Sequence, residues 1–207
     1  MSEPERETGS VIPLEPYLAR SNPPPRRRPL VPNSVLAMLV VVIMEVMFFG
    51  GLISAYVIAE RGTRTGWPPP AQPRLPIEAT ALNTLALLAS GVLIWLCART
   101  LARAEARARR LFLVSMLLGG FFVVFQGIEW VRLIAEGLTL TYSTHAAFFY
   151  LIVGLHALHA ITALTALAWA YARLTSARLT ASAFTAVRIF WYFVVLVWPI
   201  IYLLVYL

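Results

Sequence analysis

One carboxylate, Glu45, stands in the middle of the apolar stretch VVIMEVMFFGGLISAY at residues 41–56. At the helical rise per residue, it lies about 17 Å from the start of the predicted helix, near the middle of a membrane. An ionised acid at that depth costs about 3 kcal/mol on insertion scales. We therefore expect Glu45 to be either protonated or paired with a polar group inside a helix bundle.

Histidines on a later apolar segment are candidate partners for this acid. The stretch THAAFFYLIVGLHALHAITAL carries His145, His156 and His159, and on a helix these fall within about 60° of one another. His156 and His159 reach the depth of Glu45, and a Glu–His hydrogen bond there would satisfy both groups. A metal or haem site usually needs more ligands than this pair offers, so we predict packing and hydrogen bonding rather than ligation.

Two further segments carry polar residues at helical spacing. The stretch VFQGIEW places Gln126 and Glu129 one turn apart, and Glu129 can pair with Arg132 one turn on. We expect Asn83 and Gln126 to form hydrogen bonds between helices. The sequence offers no nucleophile–base pair, phosphate loop or cysteine cluster, so catalysis by this chain alone is not expected. The inward polar residues predicted for the second span are Glu78, Asn83, Thr84 and Ser90.

The elements that position these residues are membrane-spanning helices. Hydrophobic residues make up 59% of the 207 residues and charged residues 13%, with a mean hydropathy of +0.74. Stretches long enough to cross a hydrocarbon core of about 30 Å occur five times. They are residues 34–59, 78–98, 111–135, 146–172 and 184–207. The sequence therefore predicts an all-α, polytopic membrane bundle of five transmembrane helices.

The chain divides into a leader and a membrane domain. Residues 1–33 contain eight prolines and the run NPPPRRRPL, and they lack the apolar core of a signal peptide. We predict a disordered, Pro/Arg-rich cytoplasmic tail over 1–33 and a five-helix transmembrane domain over 34–207.

Arginine distribution predicts the orientation. All 17 basic residues are Arg; besides Arg6, twelve lie in the leader, the second loop and the flanks of the fourth and fifth spans, and four lie on the other side. The positive-inside rule then places the N-terminus in the cytoplasm and the C-terminus outside. Because membrane topology accounts for the net charge of +7, we expect no nucleic-acid partner. Trp95, Trp169 and Trp191 are predicted at the inner membrane surface.

Five motifs, in order, resemble those of subunit III of haem-copper terminal oxidases, over about residues 34–207. Glu45 stands at the position of the family's buried acid, which is known to react with carbodiimides. Members with seven spans carry two extra N-terminal helices, and this chain resembles the shorter, five-span bacterial forms. The motifs are MEVMFFGGLISAY, WPPP at 67–70, EATALNTLALLASG, FQGIEW and FFYLIVGLHALH.

The resemblance implies an accessory subunit of an aerobic respiratory cytochrome c oxidase in the bacterial cytoplasmic membrane. It implies a V-shaped, two-part bundle that has no redox centre of its own. This bundle would pack against catalytic subunit I in a complex that also contains subunit II, and the haem and copper would be held by these partner subunits. Phospholipid is expected in a cleft between the first two helices and the other three. The subunit would support proton uptake and protect the oxygen-reducing site. The proton or lipid-cleft candidates are Glu45, Glu78, Asn83, Gln126, Glu129, His156 and His159.

The last helix departs from the family pattern Trp-His-Phe-x-Asp-x-x-Trp. Here WYFVVLVW has Tyr192 in place of the His and Val195 in place of the Asp, which puts a proton-antenna or docking role of that helix in doubt. Two alternative hypotheses stay open: a subunit-III-like protein of nitric oxide reductase, and a small proton-coupled transporter that uses Glu45 and the His pair. Membership of a respiratory supercomplex also stays open.

Overall fold

The computed structural model describes residues 31–63, 66–69 and 72–207. The predicted disordered tail lies outside the described residues, apart from its last three positions. Each of the five helices is long and apolar enough to cross a membrane, so the five-span, all-α fold is confirmed. The helices are α1 (Asn33–Gly62), α2 (Ile77–Thr100), α3 (Glu105–Ala135), α4 (Thr144–Thr175) and α5 (Ala181–Ile201), which continues into a π-helical turn at Tyr202–Tyr206.

The helices do not pair as the sequence analysis predicted. Helix α2 packs most extensively against α3, α4 packs against α3 and α5, and α1 packs against α5 and α4. Among the described residues, α1 and α2 form no comparable contact. The expected division into the first two helices and the other three is therefore wrong, because α1 joins the last two helices rather than its neighbour in the chain.

Helix α1 meets the bundle through one narrow seam. The residues of α1 that contact the other helices recur at alternating steps of four and three residues, the spacing that keeps one helix face against a partner. Phe49 and Tyr56 are the buried residues of the seam, whereas Ile43, Met44 and Met47 point outwards. Glu45 thus lies on the packed face of an otherwise exposed helix. The seam consists of Met38, Val42, Glu45, Phe49, Leu52 and Tyr56.

Helix α5 supplies the centre of the core. Trp191 and Trp198 are both 0% exposed, and their spacing of seven residues places both rings on one face of the helix. Gly119 on α3 makes room for the first of them, because a Cβ there would lie 2.6 Å from the Trp191 ring. The predicted position of Trp191 at the membrane surface is therefore wrong.

The loop between α1 and α2 is fastened to the start of α4 through its described residues. The Gln72 Nε2 lies 2.7 Å from the His145 Nδ1, and the Ser143 hydroxyl donates to the Gln72 Oε1 at 2.9 Å. On the other side of the loop, the Trp67 indole donates to the Tyr56 hydroxyl at 3.0 Å. These bonds connect α1, the loop and α4 at one end of the bundle.

Candidate functional site

Helices α1 and α4 bring Glu45 and His159 into contact. The Glu45 Oε2 lies 3.1 Å from the His159 Nε2, and the two side chains are 27% and 15% exposed. The seam spacing of α1 turns Glu45 towards α4, and His159 faces back from the middle of that helix. Of the two histidines predicted at the depth of Glu45, His159 is therefore the one in contact with it.

The second nitrogen of His159 decides where the proton of this pair can be. Its Nδ1 lies 2.7 Å from the Leu155 carbonyl oxygen, and a carbonyl oxygen can only accept. The Nδ1 therefore carries a hydrogen, and a neutral ring has its lone pair at Nε2. A hydrogen bond to Glu45 then needs one further proton, located either on the carboxyl group or on the ring.

This one-proton requirement fixes the net charge of the pair. With the proton on Glu45, both groups are neutral, and with the proton on His159, a carboxylate faces an imidazolium. Either arrangement sums to zero, which avoids the large free-energy cost of an isolated charge in an apolar environment. The contact can therefore exchange a proton internally without a change in net charge.

Aromatic rings surround the His159 imidazole. The Phe49 ring centroid lies 5.4 Å from that of His159, edge to face, and Phe193 and Phe190 lie at 6.1 and 6.3 Å. Such edge-to-face packing holds the ring in one orientation. The rings leave the exposed part of the pair mainly on the Glu45 side.

The other two histidines of α4 have different neighbours. His156 is 1% exposed and packs against Trp198, with the ring centroids 4.9 Å apart. Within the described residues, its Nε2 has no hydrogen-bond partner. His145 contacts Gln72 in the outer loop. The three histidines thus face three separate environments rather than one site.

A ladder of polar contacts links α2, α3 and α5. The Trp191 indole donates to the Ser90 hydroxyl at 3.1 Å, and the Ser115 hydroxyl donates to the Ser90 carbonyl at 2.8 Å. One layer further along, the Trp198 indole donates to the Thr84 hydroxyl at 2.8 Å. These bonds satisfy indole N–H groups that would otherwise be orphaned in the bundle.

Asn83 and Gln126 form the interhelical hydrogen bonds that the sequence predicted. The Asn83 amide donates to the Phe122 carbonyl at 3.2 Å, and the Gln126 amide donates to the Tyr206 hydroxyl at 2.9 Å. The contribution of α5 and its π-helical continuation to this network, through Trp191, Trp198 and Tyr206, was not predicted. The seven-residue spacing of the two tryptophans was the available signal for it.

Two acids complete the predicted set. Glu129 is buried and accepts from the Arg132 guanidinium at 2.8 Å, and the Arg132 side chain is 66% exposed; the predicted pair is confirmed. Glu78 is exposed in the first turn of α2, where its negative charge interacts favourably with the helix dipole. Glu78 was predicted to face inwards with the other polar residues of this helix, and that prediction is wrong.

The described part of the chain contains no group of three or more His, Cys, Asp or Glu residues that could hold a metal ion. Its single cysteine, Cys97, is buried and free. Among the described residues, the Glu45–His159 contact is the one acid–base pair that includes a histidine.

Comparison with known proteins agrees with this architecture. The sequence matches the family model for cytochrome c oxidase subunit III over residues 31–207. A probable cytochrome c oxidase subunit 3 of Mycobacterium leprae is 34% identical, over 78% of this chain and 81% of the relative. The corresponding protein of Nocardia farcinica is 32% identical, over 74% and 77% of the two chains. The chain therefore belongs to the cytochrome c oxidase subunit III family, whose members are integral membrane subunits of a multi-subunit complex.

Proposed function

We propose that this chain is an accessory subunit of an aerobic bacterial cytochrome c oxidase and supports proton uptake and the active lifetime of the catalytic subunit. The observation that carries the proposal is the one-proton contact between Glu45 and His159. The chain lies in the cytoplasmic membrane with its N-terminus inside, beside subunits I and II, which hold the haem and copper. It contributes no redox centre of its own.

The geometry of the pair supports a role in proton supply. A carboxylic acid and an imidazole in contact differ in protonation preference, and small changes nearby move the shared proton between them. Leu155 holds the His159 ring in place, so the acceptor nitrogen stays directed at Glu45. The partly exposed carboxyl group can then take up or release a proton, while the less exposed histidine stays packed among the aromatic rings.

The outward face of α1 supports the proposed partners. Ile43, Met44 and Met47 are 59%, 64% and 73% exposed, and an apolar surface of this kind suits lipid or a neighbouring membrane subunit. Helix α1 packs against α4 and α5 through its opposite face, so this outward face is exposed along the length of the helix. We assign it to the acyl chains of bound phospholipid and to subunit I.

The first experiment tests membership of the complex. The chain is tagged, the native complex is purified in mild detergent, and its visible spectrum and oxygen consumption are recorded. We expect haem in the complex, oxygen reduction by it, and no haem in the isolated chain. A haem complex that reduces nitric oxide instead would support the alternative hypothesis, and substrate flux by the isolated chain in liposomes would support a transporter.

The second experiment tests the proton role. Glu45→Gln keeps a donor for the His159 Nε2 but cannot exchange a proton, so assembly should be retained. We expect slower proton uptake and fewer turnovers before inactivation in this variant. Glu136→Gln, at an exposed acid, is the matched control and should behave as the wild type does. Unchanged uptake and lifetime in Glu45→Gln would contradict the proposal.

A further inference from the structure

A cavity lies where the C-terminal end of α2, the α4–α5 connection and the start of α5 meet. Its volume is about 370 Å³. Most of its wall is apolar, including Leu101, Leu174, Leu179 and Phe184. The cavity lies at the end of the bundle where arginines are concentrated, far from the Glu45–His159 contact near the middle of the helices.

One cation, Arg188, lines this cavity. Its guanidinium lies over the Phe184 ring, 5.0 Å from the centroid. The Nε of Arg188 is buried and has no hydrogen-bond partner in the described part of the chain. None of the ion pairs between described residues includes Arg188, and none of the residues lining the cavity is acidic.

The other arginines at this end of the bundle provide a comparison. Arg99 lies over the Trp95 ring at 3.9 Å, Arg173 lies over the Trp169 ring at 5.2 Å, and Arg109 pairs with Glu105 at 2.6 Å. Arg107 and Arg110 also line a cavity, and Arg109 also has a buried Nε without a hydrogen-bond partner. Among the described arginines, Arg188 combines both features, and no ion pair between described residues includes it. A buried or half-buried charge of this kind favours an opposite charge nearby.

The composition of the wall indicates what kind of molecule fits. At the volume of liquid water, about a dozen molecules would fill this space. Only three lining side chains, those of Thr180, Thr185 and Arg188, carry polar atoms. Water filling the whole cavity would therefore lack hydrogen-bond partners over most of the wall. A molecule with one anionic group and an apolar remainder matches both parts of the wall.

We propose that this cavity binds an anionic phospholipid, with its phosphate on Arg188 and the upper part of an acyl chain against the apolar wall. The Thr180 hydroxyl lies within the same wall and can donate to a phosphate oxygen, whereas the Thr185 hydroxyl already donates to the Ala181 carbonyl at 2.9 Å. This inference rests on the lipid-binding part of the proposed function and gives it a second location, separate from the outward face of α1.

The test uses the purified complex that contains the tagged chain. After the complex is depleted of lipid with detergent, it is titrated with phosphatidylglycerol, with phosphatidylcholine and with inorganic phosphate. Bound lipid is counted by native mass spectrometry, and the shift in half-inactivation temperature is recorded. We expect Arg188→Gln to weaken the binding of one phosphatidylglycerol by about tenfold or more, since a hydrogen-bonded charge is lost. Arg188→Lys, which retains the charge, should recover part of the binding.

Two further variants make the outcome specific. Arg99→Gln removes a charge from the same end of the bundle but not from the cavity, so it should leave this binding unchanged. Ala102→Trp retains Arg188 and fills the cavity from a lining position, so it should abolish the binding.

Equal phosphatidylglycerol binding by the wild type and Arg188→Gln would overturn the inference, as would an equal loss in Arg99→Gln. Competition by inorganic phosphate at the same concentration would assign the site to a free anion instead of a lipid. The visible spectrum of the same preparation tests the proposed function separately. A complex without haem would refute that function, while the lipid-binding measurement would still be valid.

Discussion

The Leu155 carbonyl determines which nitrogen of His159 faces Glu45. It accepts from the His159 Nδ1 at 2.7 Å, so the Nε2 is directed across to the carboxyl group at 3.1 Å. The acid and the imidazole then share one proton and together carry no net charge. Removing His159 leaves the Glu45 carboxyl group without its polar contact, whereas removing Glu45 leaves the His159 Nε2 unpaired and the bond from Nδ1 to Leu155 intact.

This relationship predicts a strong dependence of each group on the other. We expect His159→Phe to destabilise the subunit by about 1–3 kcal/mol, because the half-buried Glu45 carboxyl group loses its partner. The double variant Glu45→Met/His159→Phe should recover most of that loss, since no unpaired polar group remains. The measurement is the temperature at which the tagged subunit dissociates from the complex, analysed as a double-mutant cycle. Additive effects of the two substitutions would show that the contact is energetically unimportant.

A second prediction concerns the close approach of α3 and α5. Gly119→Ala places a Cβ 2.6 Å from the Trp191 ring, and the hydrogen bond to Ser90 holds that ring in place. We expect a loss of about 1–3 kcal/mol from overpacking, measured by thermal unfolding in detergent. The matched control is Gly120→Ala, whose Cβ would lie 3.9 Å from Leu164 and gains the same helix propensity. Equal melting temperatures of the two variants would contradict this view of the core.

Much of the α1 side of the site was predictable from the sequence. The midplane depth of Glu45 follows from its position in the apolar stretch, and the insertion cost of a charge there predicted an acid that is either protonated or paired. Apolar residues also recur at steps of four and three along α1, but its outward face, with Ile43, Met44 and Met47, is equally apolar, so the sequence does not mark the seam. The shared depth made His156 and His159 candidate partners for Glu45.

The choice between the histidines, and the pairing of the helices, could not be predicted. His156 and His159 are one turn apart at similar depth, and which one meets Glu45 depends on the rotation of α4 and on the packing of α1 against α5. An apolar stretch identifies each membrane span but does not indicate which other helix packs against it. Helix pairing in a membrane bundle depends on side-chain packing. Trp191 was misplaced for the same reason, because its apolar ring and polar N–H suit both an interface and a core.

A third prediction concerns the loop between α1 and α2. Gln72→Leu removes the contacts with His145 and Ser143, so we expect the loop to detach more often from α4. Cleavage by trypsin after Arg74, in vesicles that expose this end of the bundle, should become several-fold faster. Thr162→Ala, at an exposed hydroxyl that bonds only within its own helix, is the control. Oxygen consumption should be unchanged in both variants, which separates the loop from the Glu45–His159 site.

The final prediction tests the orientation that the arginine distribution indicates. In a Cys97→Ser background, single cysteines are introduced at Thr139, which is exposed between α3 and α4, and at Ala106, which is exposed at the start of α3. The positive-inside rule places the second site in the cytoplasm and the first outside. A membrane-impermeant maleimide should therefore label Thr139→Cys in intact cells and label Ala106→Cys only after the membrane is opened. The reverse labelling pattern would show that the topology is inverted and that the Arg188 cavity lies at the outer surface. The positive-inside rule would then not account for the arginines at that end of the bundle, and a negatively charged partner would have to account for them.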